Sequence, residues 1–385
     1  MRYKISKIVE QIPPSGIRKF FDLVIDMKGI LSLGVGEPDF ITPRNIREAA
    51  IRSIKQGRTT YTSNTGLMEL RREISHFLNR RYSLRYDPDK EILITVGVSE
   101  GMDLVLRTLA GKNDKILIPE PCYVSYMPVT ALAGGKPVYL RTPREKGFKL
   151  SPKQIDKACD KNTKALILNY PSNPTGASYT RKELKEISKV AEKRNLLVIS
   201  DEVYDELTYD FQHTPFATLS GMKKRTVYLN GFSKSYAMTG WRVGFACGPE
   251  EIISAMTKIH QYTIMCVPIM GQIAAIEALK KGQKSVDEMK KEYKKRREFI
   301  VDGLNAIGLE CHKPQGAFYV FPSIKSTGLK SMEFVTALLE KEKVAVVPGT
   351  AFGSSGEGYI RISYASSFDK LKEALSKISH FVNSL

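Results

Sequence analysis

An α/β fold is what this sequence predicts: a large unit with a mostly parallel central sheet flanked by helices, joined to a smaller α+β unit. Three observations point there. Through the middle of the chain, short apolar runs alternate with longer helical patterns, the mark of strand–helix–strand units. After about residue 270 that alternation gives way to two helical stretches, one heavily charged, and a few short strands. Finally, 385 residues exceed what one hydrophobic core usually serves.

The elements follow in order. Residues 1–44 are expected to pack with the smaller unit or to cross the interface, and residues 45–270 to form the large unit. Within it, apolar runs predict strands at 92–96, 115–118, 164–169, 196–200, 226–230 and 244–247. Helical periodicity lies between them at 100–109, 181–194 and 250–260. Residues 271–385 form the smaller unit, with helices at 271–280 and 285–307 and strands at 317–321, 344–347 and 359–363. A last helix covers 368–383.

Composition narrows the function class. Hydrophobic residues make up 42% and charged residues 26%, which suits a soluble globular chain and excludes a disordered one. No apolar run approaches the roughly 20 residues that span a bilayer, and the first residues carry no signal-peptide pattern. No membrane partner is expected. The five cysteines are scattered without a C-x-x-C pair, so neither a disulfide framework nor a metal site is expected, and a reducing cytoplasm fits. The net charge of +18 could serve nucleic acid or anionic substrates. Its lysines and arginines are spread over helical runs such as 289–297 and interrupted by acids, which reads as a solvated helix face with no nucleic-acid partner.

Chemistry gathers at strand ends, where open parallel sheets bind ligands. The strand at 164–169 runs into Tyr170-Pro-Ser-Asn173-Pro-Thr-Gly176. The strand at 196–200 runs into Asp201-Glu-Val-Tyr204, and that at 226–230 into Gly231-Phe-Ser233-Lys234. An amide, a carboxylate with a phenol three residues on, and a lysine converge on one rim. Singly each is a turn, a helix cap or a surface charge; in this order, each at a strand end, they form a constellation.

These residues resemble a known family. Asn173-Pro-Thr-Gly-Ala, Ser200-Asp-Glu-Val-Tyr204 and Gly231-Phe-Ser-Lys-Ser-Tyr-Ala-Met-Thr-Gly-Trp-Arg242 are similar to signatures of class I/II aminotransferases of pyridoxal-phosphate fold type I. Gly34-Val-Gly-Glu-Pro-Asp-Phe40 and Arg361-Ile-Ser extend the match over nearly the whole chain, and the prokaryotic and archaeal aspartate or aromatic branch resembles it best. The resemblance implies an enzyme with pyridoxal 5'-phosphate, an L-amino acid and a 2-oxo acid such as 2-oxoglutarate, working by ping-pong.

It also implies roles. Lys234 resembles the lysine that holds the cofactor as an imine and then moves the α-proton. Asp201 matches the partner of the ring nitrogen, and Asn173 with Tyr204 the pair on the phenolic oxygen. Tyr123 matches the aromatic stacked on the ring. Val98, Ser99, Ser233 and Arg242 match phosphate ligands; Gly231 departs from the Ser or Thr of many relatives and removes one hydroxyl. Arg361, with the backbone of Gly36, resembles the fork for the substrate α-carboxylate. Tyr61 resembles a tyrosine that reaches the partner subunit's phosphate, which implies a homodimer with shared sites. The family this chain resembles turns sharply at the places of Asn173–Pro174 and Glu120–Pro121, which implies cis bonds there.

The same residues would also serve a C–S lyase using the same cofactor, since the cofactor does the hard chemistry. A DNA-binding regulator on this fold would need a region that Gly34-Val-Gly-Glu-Pro-Asp leaves no room for. Arg18 and Lys19 could reach a distal carboxylate, though a helix surface is the plainer place for them.

Overall fold

The computed structural model describes residues 4–14, 16 and 29–385. Among these the strands are, in chain order, β1 (Leu31–Ser32), β2 (Ile92–Thr95), β3 (Lys115–Glu120), β4 (Lys136–Arg141), β5 (Thr163–Asn169) and β6 (Leu197–Asp201). After them come β7 (Thr226–Gly231), β8 (Gly244–Cys247), β9 (Tyr319–Val320), β10 (Val344–Ala345), β11 (Val347–Pro348) and β12 (Ile360–Ser363).

Seven strands form the central sheet in the order β2-β8-β7-β6-β5-β3-β4. Strand β8 runs against both neighbours, and all other pairings are parallel. Strands β2, β7 and β8 are buried at every position, because helices cover both faces, and this is why such segments read as near-continuous apolar runs. Successive side chains point to opposite faces. Leu93, Ile118, Ile167 and Ile199 meet helices Gly97–Leu109 and Glu250–Thr263 on one side. Leu117, Leu166 and Val198 meet Pro152–Ala158 and Arg181–Lys193 on the other. Both of these latter helices start in a capping box, Ser151 with Gln154 and Thr180 with Glu183.

Ile92, Ile94, Tyr228 and Phe245 pack under helices Arg44–Lys55, Met68–Tyr82 and Ile269–Lys281. The last of these, grouped with the C-terminal residues from the sequence, lies in the same core as the first two. A separate core gathers Phe318, Val320, Ile360 and Ile362 beneath helices Gln283–Ala306, Ser331–Glu342 and Phe368–Asn383. The N-terminal segment joins this second core: β1 pairs with β10 in parallel, Ser363 N–H donates to Leu33 O at 2.8 Å, and Arg296 grips Asp39 at 2.9 Å.

The run 344–347, expected as one strand, is two. Val344–Ala345 pairs with β1, while Val347–Pro348 pairs with β12 in a three-stranded sheet ordered β11-β12-β9. All four residues are buried, so the apolar pattern carries no sign of the change of sheet. Among the described residues no helix is long and apolar enough to cross a membrane, and no cluster of His, Cys, Asp and Glu could hold a metal ion.

Strand order reverses between β3 and β5, since β4 sits outside β3. The carboxyl ends at this switch point deliver 121–123 and 169–173 to a common crevice.

Candidate active site

A cavity of about 610 Å³ opens over the carboxyl ends of β3, β5, β6 and β7. It brings together Gly36, Val98, Ser99, Tyr123, Asn173, Asp201, Tyr204, Ser233, Lys234, Arg242 and Arg361, every site residue expected from the sequence except Tyr61. Tyr61 stands away from it with 81% of its surface exposed. Arg18 and Lys19 lie outside the described residues.

Register places the first pair. Asn169 on β5 is the partner of Asp201 on β6, and Asn169 Nδ2 donates to Asp201 O at 3.0 Å. The same amide's oxygen accepts from Asn173 N–H at 3.0 Å, which fixes the start of the Asn-Pro-Thr-Gly turn. The bonds Glu120–Pro121, Tyr170–Pro171 and Asn173–Pro174 are cis; the first and third match expectation.

Asp201 is buried, with Oδ2 accepting from Tyr126 Oη at 2.7 Å and Oδ1 from Val203 N–H at 3.3 Å. Burial raises its pKa to about 6, and donation from Tyr126 works the other way, in favour of the carboxylate. Lys234 Nζ donates to Gly36 O at 2.6 Å. Burial, then the nearby Arg361 charge, push its pKa down to about 8. Tyr204 Oη and Tyr319 Oη are 3.0 Å apart, and burial raises the pKa of both phenols.

Arg361 is 2% exposed, and no carboxylate among the described residues pairs with it. Its Nη1 donates to Asn173 Oδ1 at 2.9 Å and its Nη2 to Gly34 O at 2.6 Å, leaving Nε buried without an acceptor among the described residues. The guanidinium rests on the Tyr319 ring, 4.6 Å from its centroid. With Asn173 Oδ1 so taken, the amide nitrogen of Asn173 is its remaining polar group.

The start of helix Gly97–Leu109 forms a cup at the other end. Its N-cap residue, Val96, supplies no side-chain cap. Gly97 has φ +69°, a backbone that favours glycine, and a Cβ there would lie 2.8 Å from Arg242 Nη2, so the guanidinium crosses close over the helix start. A Cβ on Gly244 would lie 2.8 Å from Val98 N, so β8 can approach the cup only through glycine. Gly231 faces Gly244 Cα at 3.0 Å from where a Cβ would be, and it does not line the cavity.

These parts fit pyridoxal phosphate. An uncapped helix start with Ser233 and Arg242 suits a phosphate, a buried carboxylate suits a protonated ring nitrogen, and an amide nitrogen with a phenol suits the phenolic oxygen. Arg361, with its unpaired Nε, suits a second anion.

Sequence reasoning missed Tyr126, Tyr319 and Asn169. Asn169 was legible as the last polar residue of its strand. Tyr126 and Tyr319 act across 75 and 115 residues of chain, and no local pattern marks them.

The family profile for aminotransferase class I and II matches residues 28–378. An aspartate aminotransferase of Pyrococcus abyssi is 46% identical, with 97% of each chain covered. An aromatic-amino-acid aminotransferase of Thermococcus litoralis is 44% identical, again over 97% of each. The solved structure of a Pyrococcus protein, protein-A1, superposes with a TM-score of 0.96 at 44% identity, covering 98% of both chains.

Proposed function

Because the chain belongs to the class I and II aminotransferases, enzymes of this kind using pyridoxal phosphate, we propose that it moves the amino group of an aspartate-type or aromatic L-amino acid to a 2-oxo acid such as 2-oxoglutarate. The observation that carries this reading is Arg361. A guanidinium so buried is costly to leave without an anion, and it lies in the same cavity as an amine whose pKa is near 8. A substrate α-carboxylate supplies the missing charge.

When bound, the cofactor supplies an electron sink and a place for the amino group to rest between the two half-reactions. Arg361 binds the α-carboxylate and so positions the α-carbon. Lys234 Nζ would hold the cofactor in the resting enzyme, then take the proton from the α-carbon and return it to the carbon on the other side of the amino nitrogen; a pKa near 8 leaves a useful neutral fraction. Asp201 keeps a proton at the ring nitrogen. Asn173 and Tyr204 donate to the phenolic oxygen, and Tyr123 covers the ring. The amides of Val98 and Ser99, with Ser233 and Arg242, bind the phosphate.

Further support concerns setting and assembly. The five cysteines are unpaired, in keeping with a reducing cytoplasm. The exposed Tyr61 fits a homodimer in which that side chain serves the partner's site. A panel of amino donors against 2-oxoglutarate, pyruvate and oxaloacetate tests the reading. Aspartate or an aromatic amino acid should be the best donor. Release of pyruvate from cysteine conjugates without a keto acid would instead assign a C–S lyase.

A further inference from the structure

Glu100 and His260 lie behind the phosphate cup, outside the cavity lining, and no step above uses them. Glu100 sits in the first turn of helix Gly97–Leu109 and turns back on it: Glu100 Oε2 accepts from the N–H of Val96, the N-cap residue. Its other oxygen, Oε1, lies 2.7 Å from His260 Nδ1. His260, on helix Glu250–Thr263, is completely buried, and its Nε2 has no partner among the described residues.

The contact resembles the returning half of a capping box, but from one position further along the helix, since Glu100 lies four residues after the N-cap. In the full motif a Ser or Thr side chain covers an inner amide while a Glu reaches back to the N-cap N–H. Here Val96 covers nothing, Ser99 stands at the motif's Glu position, and Glu100 one residue later reaches back to the N-cap N–H instead. The turn is held from outside while the amides of Val98 and Ser99 stay open toward the cavity. A carboxylate at a helix N-terminus is itself a good ligand for those amides. The histidine prevents this by occupying the oxygen not engaged by Val96. An imidazole buried with one nitrogen unsatisfied is poor economy for stability alone. The pairing makes sense as a device that holds an acidic group beside an anion site without letting it enter.

We propose that Glu100 and His260 are positioning residues for the cofactor's phosphate: they fix the Val96–Gly97 turn and hold the Glu100 carboxylate off the Val98 and Ser99 amides. The proposal rests on the phosphate seating at that helix start, as inferred above.

The test compares pyridoxal phosphate with pyridoxal, which has the ring and aldehyde but no phosphate, in binding to apoenzyme. Inorganic phosphate serves as a competitor of the former. In the wild type, pyridoxal phosphate should bind much more tightly than pyridoxal, and phosphate should compete; equal binding would refute the seating itself, and the proposal with it. His260→Leu should weaken pyridoxal phosphate about tenfold or more, and phosphate competition in step, with pyridoxal changed less than about twofold. His260→Asn, which places a donor where Nδ1 stands, should recover most of the loss. Glu100→Ala, leaving the imidazole in place, should show the same selective weakening. Parallel losses for pyridoxal and pyridoxal phosphate, unchanged affinity in both variants, or failure of both to fold would make the pair a packing feature and overturn the proposal.

Discussion

At Lys234 and Asp201 burial acts in opposite directions on two charges a cavity apart. The lysine is pushed down to about 8 and the aspartate up to about 6. For the apoenzyme the signs follow from proton linkage. Lys234 binds fewer protons folded than unfolded between about 8 and its ordinary value near 10.4, so its burden on stability lifts as pH rises through that window. Asp201 binds more protons folded than unfolded between about 3.9 and 6, so stability falls as pH rises there. Both groups are thus charged and poorly solvated near neutrality, until ligands arrive. Only the neutral amine attacks an aldehyde, so capture of pyridoxal phosphate by apoenzyme should accelerate with pH to a midpoint near 8. Stopped-flow absorbance reads this, and a midpoint above 10 would refute the placement of Lys234 in a desolvated, cationic site. Lys234→Ala should slow transamination by several orders of magnitude, and borohydride reduction of the native enzyme should label the peptide carrying this residue and no other. Asp201→Ala should weaken cofactor binding and slow α-proton removal still more, since one unit of pKa is about 1.4 kcal/mol; near-normal single-turnover rates would count against its role at the ring nitrogen.

Elements were legible in proportion to how completely they are buried. Strands β2, β5, β6, β7 and β8 announce themselves as apolar runs because both faces of the sheet are covered, and the polar residues that follow them stand out by contrast. Strand β4 was missed because, unlike the buried edge β2, it faces solvent: Lys136, Tyr139 and Arg141 are exposed, only Leu140 is buried, and it contains a proline, which an edge tolerates. Helix Arg44–Lys55 buries Ile46, Ala49, Ala50 and Ser53 at helical spacing, but most of that stripe is small residues, and the larger Ile51 and Ile54 stand exposed off it. The cup at Gly97 was legible as a helix start, but glycine is favoured there by a left-handed backbone and by Arg242, which is 145 residues away in sequence and crosses the turn. Gly97→Ala tests that construction. A Cβ would meet the guanidinium and strain a left-handed backbone, at about 1–2 kcal/mol for the conformation alone. Affinity for pyridoxal phosphate should fall roughly tenfold while pyridoxal binds as before; an unchanged ratio of the two would show that Arg242 does not need this crossing.

At the scale of the whole molecule, one chain supplies every expected part of the site but Tyr61, and the reason is where that residue stands. Tyr61 is 81% exposed beside the helix start of Met68–Tyr82, and Asn64 Nδ2 donates to Met265 O at 2.8 Å, tying its loop to the segment after helix Glu250–Thr263. Tyr262, in the last turn of that helix, is 85% exposed, and Ile264 and Met265 just after it are exposed as well. Large apolar side chains gathered at a surface mark an interface, and isologous pairing is the commonest way for a chain to cover itself. A twofold dimer would present Tyr61 of each chain to the phosphate held by Ser233 and Arg242 of the other. Mixing two altered chains decides between this and a tyrosine serving its own subunit. A Tyr61→Phe chain is combined with a Lys234→Ala chain and subunits are allowed to exchange. If sites are shared, one site of each mixed dimer has Lys234 from the first chain and an intact Tyr61 from the second, and its cofactor affinity should return to the wild-type value. Affinity fixed at that of the Tyr61→Phe homodimer, with exchange confirmed by mass, would place the tyrosine within its own chain and end the shared-site reading.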